Sequence, residues 1–284
     1  MHGLINRFLM GVLVVAAIAA VAAPAILIAM AAFSFLSAPA KMVSDKILFQ
    51  PLPESVTFID RFRTLDDARW VFSDGWNNGT WMENDWRREA LSATANGLSI
   101  TMQPNPEDSG RRPLMSGELQ SREYYLHGYF EASMRVPSGA GIVTGFFTWE
   151  RPGGNATWEE IDIEFMGARA QMMELTYHLH GFSSQETIEL GFDPSQAFHT
   201  YGFEWTPDAL RWYVDNRMVR EVTDARVQQM RRPQRFFINL WSTRELYQWA
   251  GELNPLEAPW VLEISCVAHA TQYDGVSLCA RPPR

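Results

Sequence analysis

Residues 158–167 read Trp-Glu-Glu-Ile-Asp-Ile-Glu-Phe-Met-Gly, and their strict alternation puts Glu160, Asp162 and Glu164 on one side of an extended strand. Ile161, Ile163 and Phe165 fall on the other side. A helix would also set Glu160 beside Glu164, but the β-branched isoleucines and the period of two favour a strand. Crowded carboxyls repel, and repulsion drives their pKa values apart. Glycoside hydrolysis through a covalent intermediate uses such a separation, with one carboxylate ionised to attack and one carboxylic acid protonating the leaving oxygen. An acidic strand face also serves as a solvated surface or a cation site, so the triplet alone leaves these readings open.

The chemistry sets a demand on the strand. Four extended residues separate Cα atoms by about 13 Å, whereas a retaining carboxyl pair stands about 5–5.5 Å apart. Glu160 and Glu164 must therefore lean together, which a concave, twisted strand allows and a flat one does not. The elements around it fit this demand. Residues 97–102, 128–136, 142–149 and 157–166 read as strands, and residues 200–205, 210–214 and 217–222 form a three-strand meander with turns at Thr206-Pro-Asp208 and Asp215-Asn216. Short strands with regular turn signals and little helical signal indicate an all-β sandwich or jelly roll with a concave substrate cleft.

The chain has 284 residues, 46% of them hydrophobic, with no repeat or internal linker, which suits one large β domain over residues 56–284. A net charge of −9 and the lack of a basic run argue against nucleic acid and for a neutral or weakly charged substrate. Aromatics make up 13% of residues, and Trp149, Trp158, Trp241 and Trp249 sit beside polar residues and turns, where an indole can stack on a sugar ring. His178 and His180 share a strand parity, but no third ligand has convincing spacing, so no metal site is expected.

From Phe8 to Ala40 there is no charged residue. The length of this run suits an uncleaved membrane anchor, whereas Ala23-Pro-Ala25 and Ala38-Pro-Ala40 offer cleavage patterns for a signal peptide. Residues 41–55 then form a linker. Either reading places the domain outside the cytoplasm, secreted or periplasmic, where Cys266 and Cys279 can close a disulfide.

Glu160-Ile-Asp-Ile-Glu-Phe165 resembles the active-site strand of glycoside hydrolase family 16 in its unbulged form. Ser73-Asp-Gly-Trp-Asn-Asn-Gly79, Ser116-Gly-Glu118, Tyr129-Phe-Glu-Ala-Ser-Met-Arg135, Phe198-His-Thr-Tyr201, Trp212-Tyr-Val-Asp215 and Asn239-Leu-Trp241 are similar, in the same order, to the family's bacterial lichenases. The resemblance implies a β-jelly roll that cleaves β-glucan with retention. Carried over by position, Glu160 is the nucleophile, Glu164 the general acid/base, and Asp162 the residue that hydrogen-bonds the nucleophile. Asn78, Glu118, Trp149, Trp158, Tyr177, His178, Asn239, Trp241 and Trp249 match or neighbour positions that line the family's sugar groove. Two departures stand out: Gln120 replaces an Arg of the lichenases, and Asn84 replaces a Cys.

The expected activity is endo-hydrolysis of β-1,3-1,4-linked glucan or a related bacterial exopolysaccharide. A transglycosylase and a noncatalytic carbohydrate-binding protein are the alternatives on the same scaffold, and the three intact acids speak against the second. No cofactor is expected. The family's structural calcium finds no clear acidic ligand in the segment from Trp260 to Cys266. The expected partner is a polysaccharide, bound by a monomer, with a membrane contact if the N-terminal segment stays uncleaved.

Overall fold

A computed structural model of the chain describes residues 53–106, 112–150 and 158–282. The apolar segment up to Ala40 and the linker up to Leu52 lie outside the described residues, as does Thr157 at the start of the acidic strand. Among the described residues no helix is long and apolar enough to cross a membrane.

Among the described residues, seventeen strands follow one another. They are β1 (Val56–Asp60), β2 (Trp70–Phe72), β3 (Asn84–Trp86), β4 (Leu91–Thr94), β5 (Gly97–Pro104) and β6 (Leu114–Ser116). Next come β7 (Glu118–Ser121), β8 (Gly128–Arg135), β9 (Ile142–Glu150), β10 (Glu159–Met166), β11 (Met172–Leu179) and β12 (Phe182–Glu189). The series closes with β13 (His199–Trp205), β14 (Leu210–Val214), β15 (Arg217–Val222), β16 (Arg235–Ser242) and β17 (Trp260–Ala270). One short helix, α1 (Tyr247–Ala250), precedes the last strand.

The strands form two sheets, giving the all-β, jelly-roll-like sandwich expected from the sequence. One sheet runs β12-β11-β10-β9-β16-β7-β2, and the other runs β15-β14-β13-β8-β17-β5-β6-β3 with β1 and β4 paired off this path. Alternation explains how β10 divides its side chains. Ile161 and Ile163 are fully buried and Phe165 nearly so, packed in the core between the sheets. Phe165 meets Tyr201 edge-on, with ring centroids 4.8 Å apart, and the Trp212 indole donates to the Asp162 carbonyl at 3.1 Å. Each buried isoleucine contributes about 1.5–3 kcal/mol, which offsets the repulsion among the acids on the outer face.

The last strand was not readable from the sequence. β17 spans 11 residues between β5 and β8, but its register slips between Ile264 and Cys266, which breaks the period of two. Beyond it, Cys266 and Cys279 form a disulfide with Cα atoms 5.7 Å apart. Buried Glu131 anchors the tail, accepting hydrogen bonds from Ser277 Oγ and the Cys279 amide, both at 2.7 Å, and from the Tyr129 hydroxyl at 2.9 Å. The tail thus packs on the sheet that does not carry the acids.

Candidate active site

Antiparallel register sets side chains in rows across the seven-stranded sheet. One row runs Ser183, His178, Glu160, Trp149, Arg235. The next runs Gln185, Thr176, Asp162, Phe147, Phe237, Gln120. A third runs Thr187, Glu174, Glu164, Gly145, Asn239, Glu118. The pairing of β10 with β9 is continuous from Glu159 to Met166, so the strand is unbulged. The acids therefore stand one to a row on a single face.

Donors distinguish the three acids. Glu160 accepts a hydrogen bond from the Trp158 indole at 2.7 Å and another from the Asp162 side chain. Burial pushes Glu160 up to about 7 against these two stabilising donors. Asp162 lies well above the usual carboxylate range, first through burial and then through the charges of Glu160, Glu164 and Glu174. It therefore holds a proton that it donates to Glu160. His178 Nε2 lies 3.5 Å from Asp162 Oδ2, and burial lowers the basicity of that ring. Glu164 is pushed up to about 8 by burial, then by Glu160 and Glu174. Both carboxyls are thus raised by burial, but Glu160 has donors that favour its anion while Glu164, two rows away, faces like charges that favour its proton, an asymmetry that a double-displacement reaction can use.

A buried polar chain extends the site toward β2. Glu118, 2% exposed, accepts from Ser73 Oγ at 2.7 Å, Gln120 Nε2 at 2.9 Å and Asn239 Nδ2 at 3.0 Å. Among the described residues Asn239 Oδ1 has no hydrogen-bond partner, and it faces the open position at Gly145, where a Cβ would come within 2.8 Å of it. Indoles border the rows at both ends. Trp149 meets Phe237 edge-on, Trp158 tilts against His178, and Trp241 stacks with Trp249 at a centroid distance of 5.8 Å.

The profile for "Glycosyl hydrolases family 16" matches residues 78–261. The chain belongs to that family. A beta-glucanase of Bacillus subtilis is 33% identical over 211 residues, covering 72% of this chain and 85% of its own length. A xylanase/beta-glucanase of Ruminococcus flavefaciens is 34% identical over 235 residues, covering 78% of this chain but only 29% of that larger protein. The solved structure of the Bacillus licheniformis beta-glucanase superposes with a TM-score of 0.69 at 28% identity, over 75% of this chain and 97% of that one.

Of the groove residues expected for this family 16 chain, Glu118, Trp149, His178, Asn239 and Trp241 stand on strands of the acid-bearing sheet, while Trp158 immediately precedes β10 and Trp249 lies in α1. Asn78 lies exposed in the loop before β3, where its Oδ1 accepts the Trp86 indole at 2.8 Å, so the turn holds it by one end. Tyr177 is a correction. Its parity on β11 opposes that of His178, and it is 1% exposed in the core against Phe182, so it does not reach the groove. The alternation in Met172–Leu179 carries that signal, since Met173, Leu175 and Leu179 share the parity of Tyr177.

His180 is a second correction, because it does not share the face of His178. β11 ends at Leu179, and His180 turns at φ 52° to face buried Glu159 at 3.4 Å. Glu160, Asp162 and His178, by contrast, offer ligand-type atoms within 4.8 Å of one another. Sequence spacing hid this grouping, since His178 joins Glu160 and Asp162 only through the pairing of β11 with β10. Sequence reasoning also missed Glu174, Arg235 and Gly145, all placed in the site by cross-strand register. Asn84, at the second departure, is buried and accepts the Ser242 amide at 2.8 Å, tying the loop that carries Trp81 to the end of β16.

Proposed function

We propose that this chain is an endo-acting β-glucanase that cleaves with retention. The observation that carries the reading is the protonation pattern along β10, in which Trp158 and Asp162 donate to Glu160 while burial and neighbouring charge keep Glu164 protonated. Glu160 attacks the anomeric carbon as Glu164 gives its proton to the departing glycosidic oxygen, forming a glycosyl ester. Glu164, now ionised, takes a proton from water, whose oxygen displaces Glu160. Asp162 donates to Glu160 at the start and after release, when the carboxylate is free.

Support for a polymer substrate comes from the aromatic side chains at both ends of the rows and from the polar Glu118–Asn239 chain between them, which suit several sugar units bound side by side. The named relatives are beta-glucanases. The unbulged strand directs the proposal to β-1,3-1,4-linked glucan or an exopolysaccharide of similar backbone. The apolar N-terminal run and the Cys266–Cys279 bridge favour work outside the cytoplasm. Incubation with lichenan, laminarin, cellulose and a succinoglycan-type polymer, with sequencing of the products, tests this. Cleavage of a β-1,4 bond that follows a β-1,3-linked unit is expected. A preference for laminarin would overturn the linkage assignment, and inertness toward every polymer would overturn the reading as a glucanase.

A further inference from the structure

The third row contains an acid that the reaction just described does not use. Glu174 stands directly across from Glu164 in the β10–β11 pairing and is 5% exposed. Facing residues in an antiparallel pair have Cβ atoms about 4.5–5.5 Å apart, and like charges placed so destabilise a sheet. A fold gains nothing in stability from this pair. Glu174 is nevertheless held in place, since the Trp249 indole donates to its two oxygens, each at 3.2 Å. Trp249 in turn stacks on Trp241.

We propose that Glu174 is a positioning residue for the reaction: its carboxylate, fixed by Trp249 opposite Glu164, biases Glu164 toward the protonated form that serves the leaving oxygen. This inference rests on the reading of Glu164 as the acid/base. The environment of Glu164 agrees with it, because burial, Glu160 and Glu174, in that order, hold its proton. On its own strand Glu164 is flanked by Asp162 and then Glu160. Across β9 the facing residue is uncharged Gly145, and beyond it lie Asn239 and then Glu118. On β11 the other titratable group of this face is His178, two rows from Glu174, and Arg235 is likewise two rows away beside Trp149. Glu174 is therefore the charge directly abreast of Glu164.

The two acidic neighbours differ in one respect that the reaction exposes. Glu160 loses its charge when the glycosyl ester forms, so its hold on the Glu164 proton lapses and Glu164 can ionise to act as base. Glu174 forms no bond to the sugar, so its side chain stays abreast of Glu164 through both half-reactions. It strengthens Glu164 as a base in the second step and secures its proton in the first.

The test is the pH dependence of kcat/KM for Glu174→Gln, measured on a mixed-linkage oligosaccharide whose leaving group needs protonation. At these separations and an effective dielectric between protein and water, the alkaline limb should fall by about half a pH unit to one unit. KM should change less than kcat at alkaline pH. Glu174→Asp, which keeps the charge, should return the limb toward that of the parent. Removing a repelling charge leaves the fold at least as stable, so an unchanged or raised Tm accompanies the shift. A folded Glu174→Gln variant with an unmoved alkaline limb would overturn the inference.

Glu164→Gln, assayed in parallel on the oligosaccharide and on an aryl glycoside with a good leaving group, separates the two layers of argument. Loss of the first activity with glycosylation by the second retained upholds the acid/base reading, and the Glu174 result then stands or falls alone. Equal effects on both substrates would remove the acid/base reading and this inference with it.

Discussion

Replacing Glu164 by Gln should make the fold more stable at alkaline pH while barely changing it in mild acid. Glu164 holds its proton up to about 8 instead of the ordinary 4.5, because burial and then the charges of Glu160 and Glu174 oppose its ionisation. The folded chain therefore binds more protons than the unfolded chain between these values, and stability falls as pH rises through that window. It is fully present below about 4.5 and lost as pH passes about 8. At about 1.36 kcal/mol per pH unit, the rise from 4.5 to about 8 sets an upper bound of about 5 kcal/mol on the alkaline loss from this group. Glu160 and Asp162 compete for the same protons, so one substitution relieves only part of it, on the order of 2–3 kcal/mol at pH 9. Urea unfolding of parent and variant at about pH 4 and about pH 9 measures this directly. Near-equality at about pH 4 and a variant more stable by about 2 kcal/mol or more at about pH 9 are expected. Parallel losses in the two proteins would refute the claim that Glu164 is a carboxyl ionised at a cost.

Trp158→Phe removes the indole donor that stabilises ionised Glu160, so the acidic limb of the kcat/KM profile should move to higher pH with the ring stacking retained. An unmoved limb would show that the bond does not govern Glu160. Changing Cys266 and Cys279 to Ser should cost about 3 kcal/mol of stability and leave kcat/KM at 25 °C within about twofold, since the bridge and the Glu131 anchor lie on the opposite sheet. A large kinetic loss in the folded variant would show that the tail supports the site.

The sequence disclosed the parts of the site that lie along one strand. Glu160, Asp162 and Glu164 stand out because alternation is a property of neighbours in the chain, and β5, β8, β9 and the β13–β15 meander were legible for the same reason. Residues joined only by register were not. Glu174 becomes interesting once it is known to face Glu164, and Gly145 once it is seen to leave open the place between Glu164 and Asn239. Tyr177 failed through parity, since its neighbours matched the groove while its own side chain faces the core. β12 gave little signal because it is an edge strand with mostly exposed, polar side chains. In β17 a bulge broke the pattern.

Glu160 and Glu164 are proposed as nucleophile and acid/base of a retaining reaction. The intact mass of the protein after exposure to an activated 2-deoxy-2-fluoro β-glucosyl oligosaccharide, followed by peptide mapping, tests these roles most directly. Fluorine slows both half-reactions and the good leaving group restores the first, so a glycosyl ester accumulates when there is a nucleophile to form it. One added glycosyl mass per chain is expected, located on Glu160 and absent from Glu160→Gln. An adduct on a different residue, or direct hydrolysis of the natural polymer to a first-formed α-anomer, would contradict these roles.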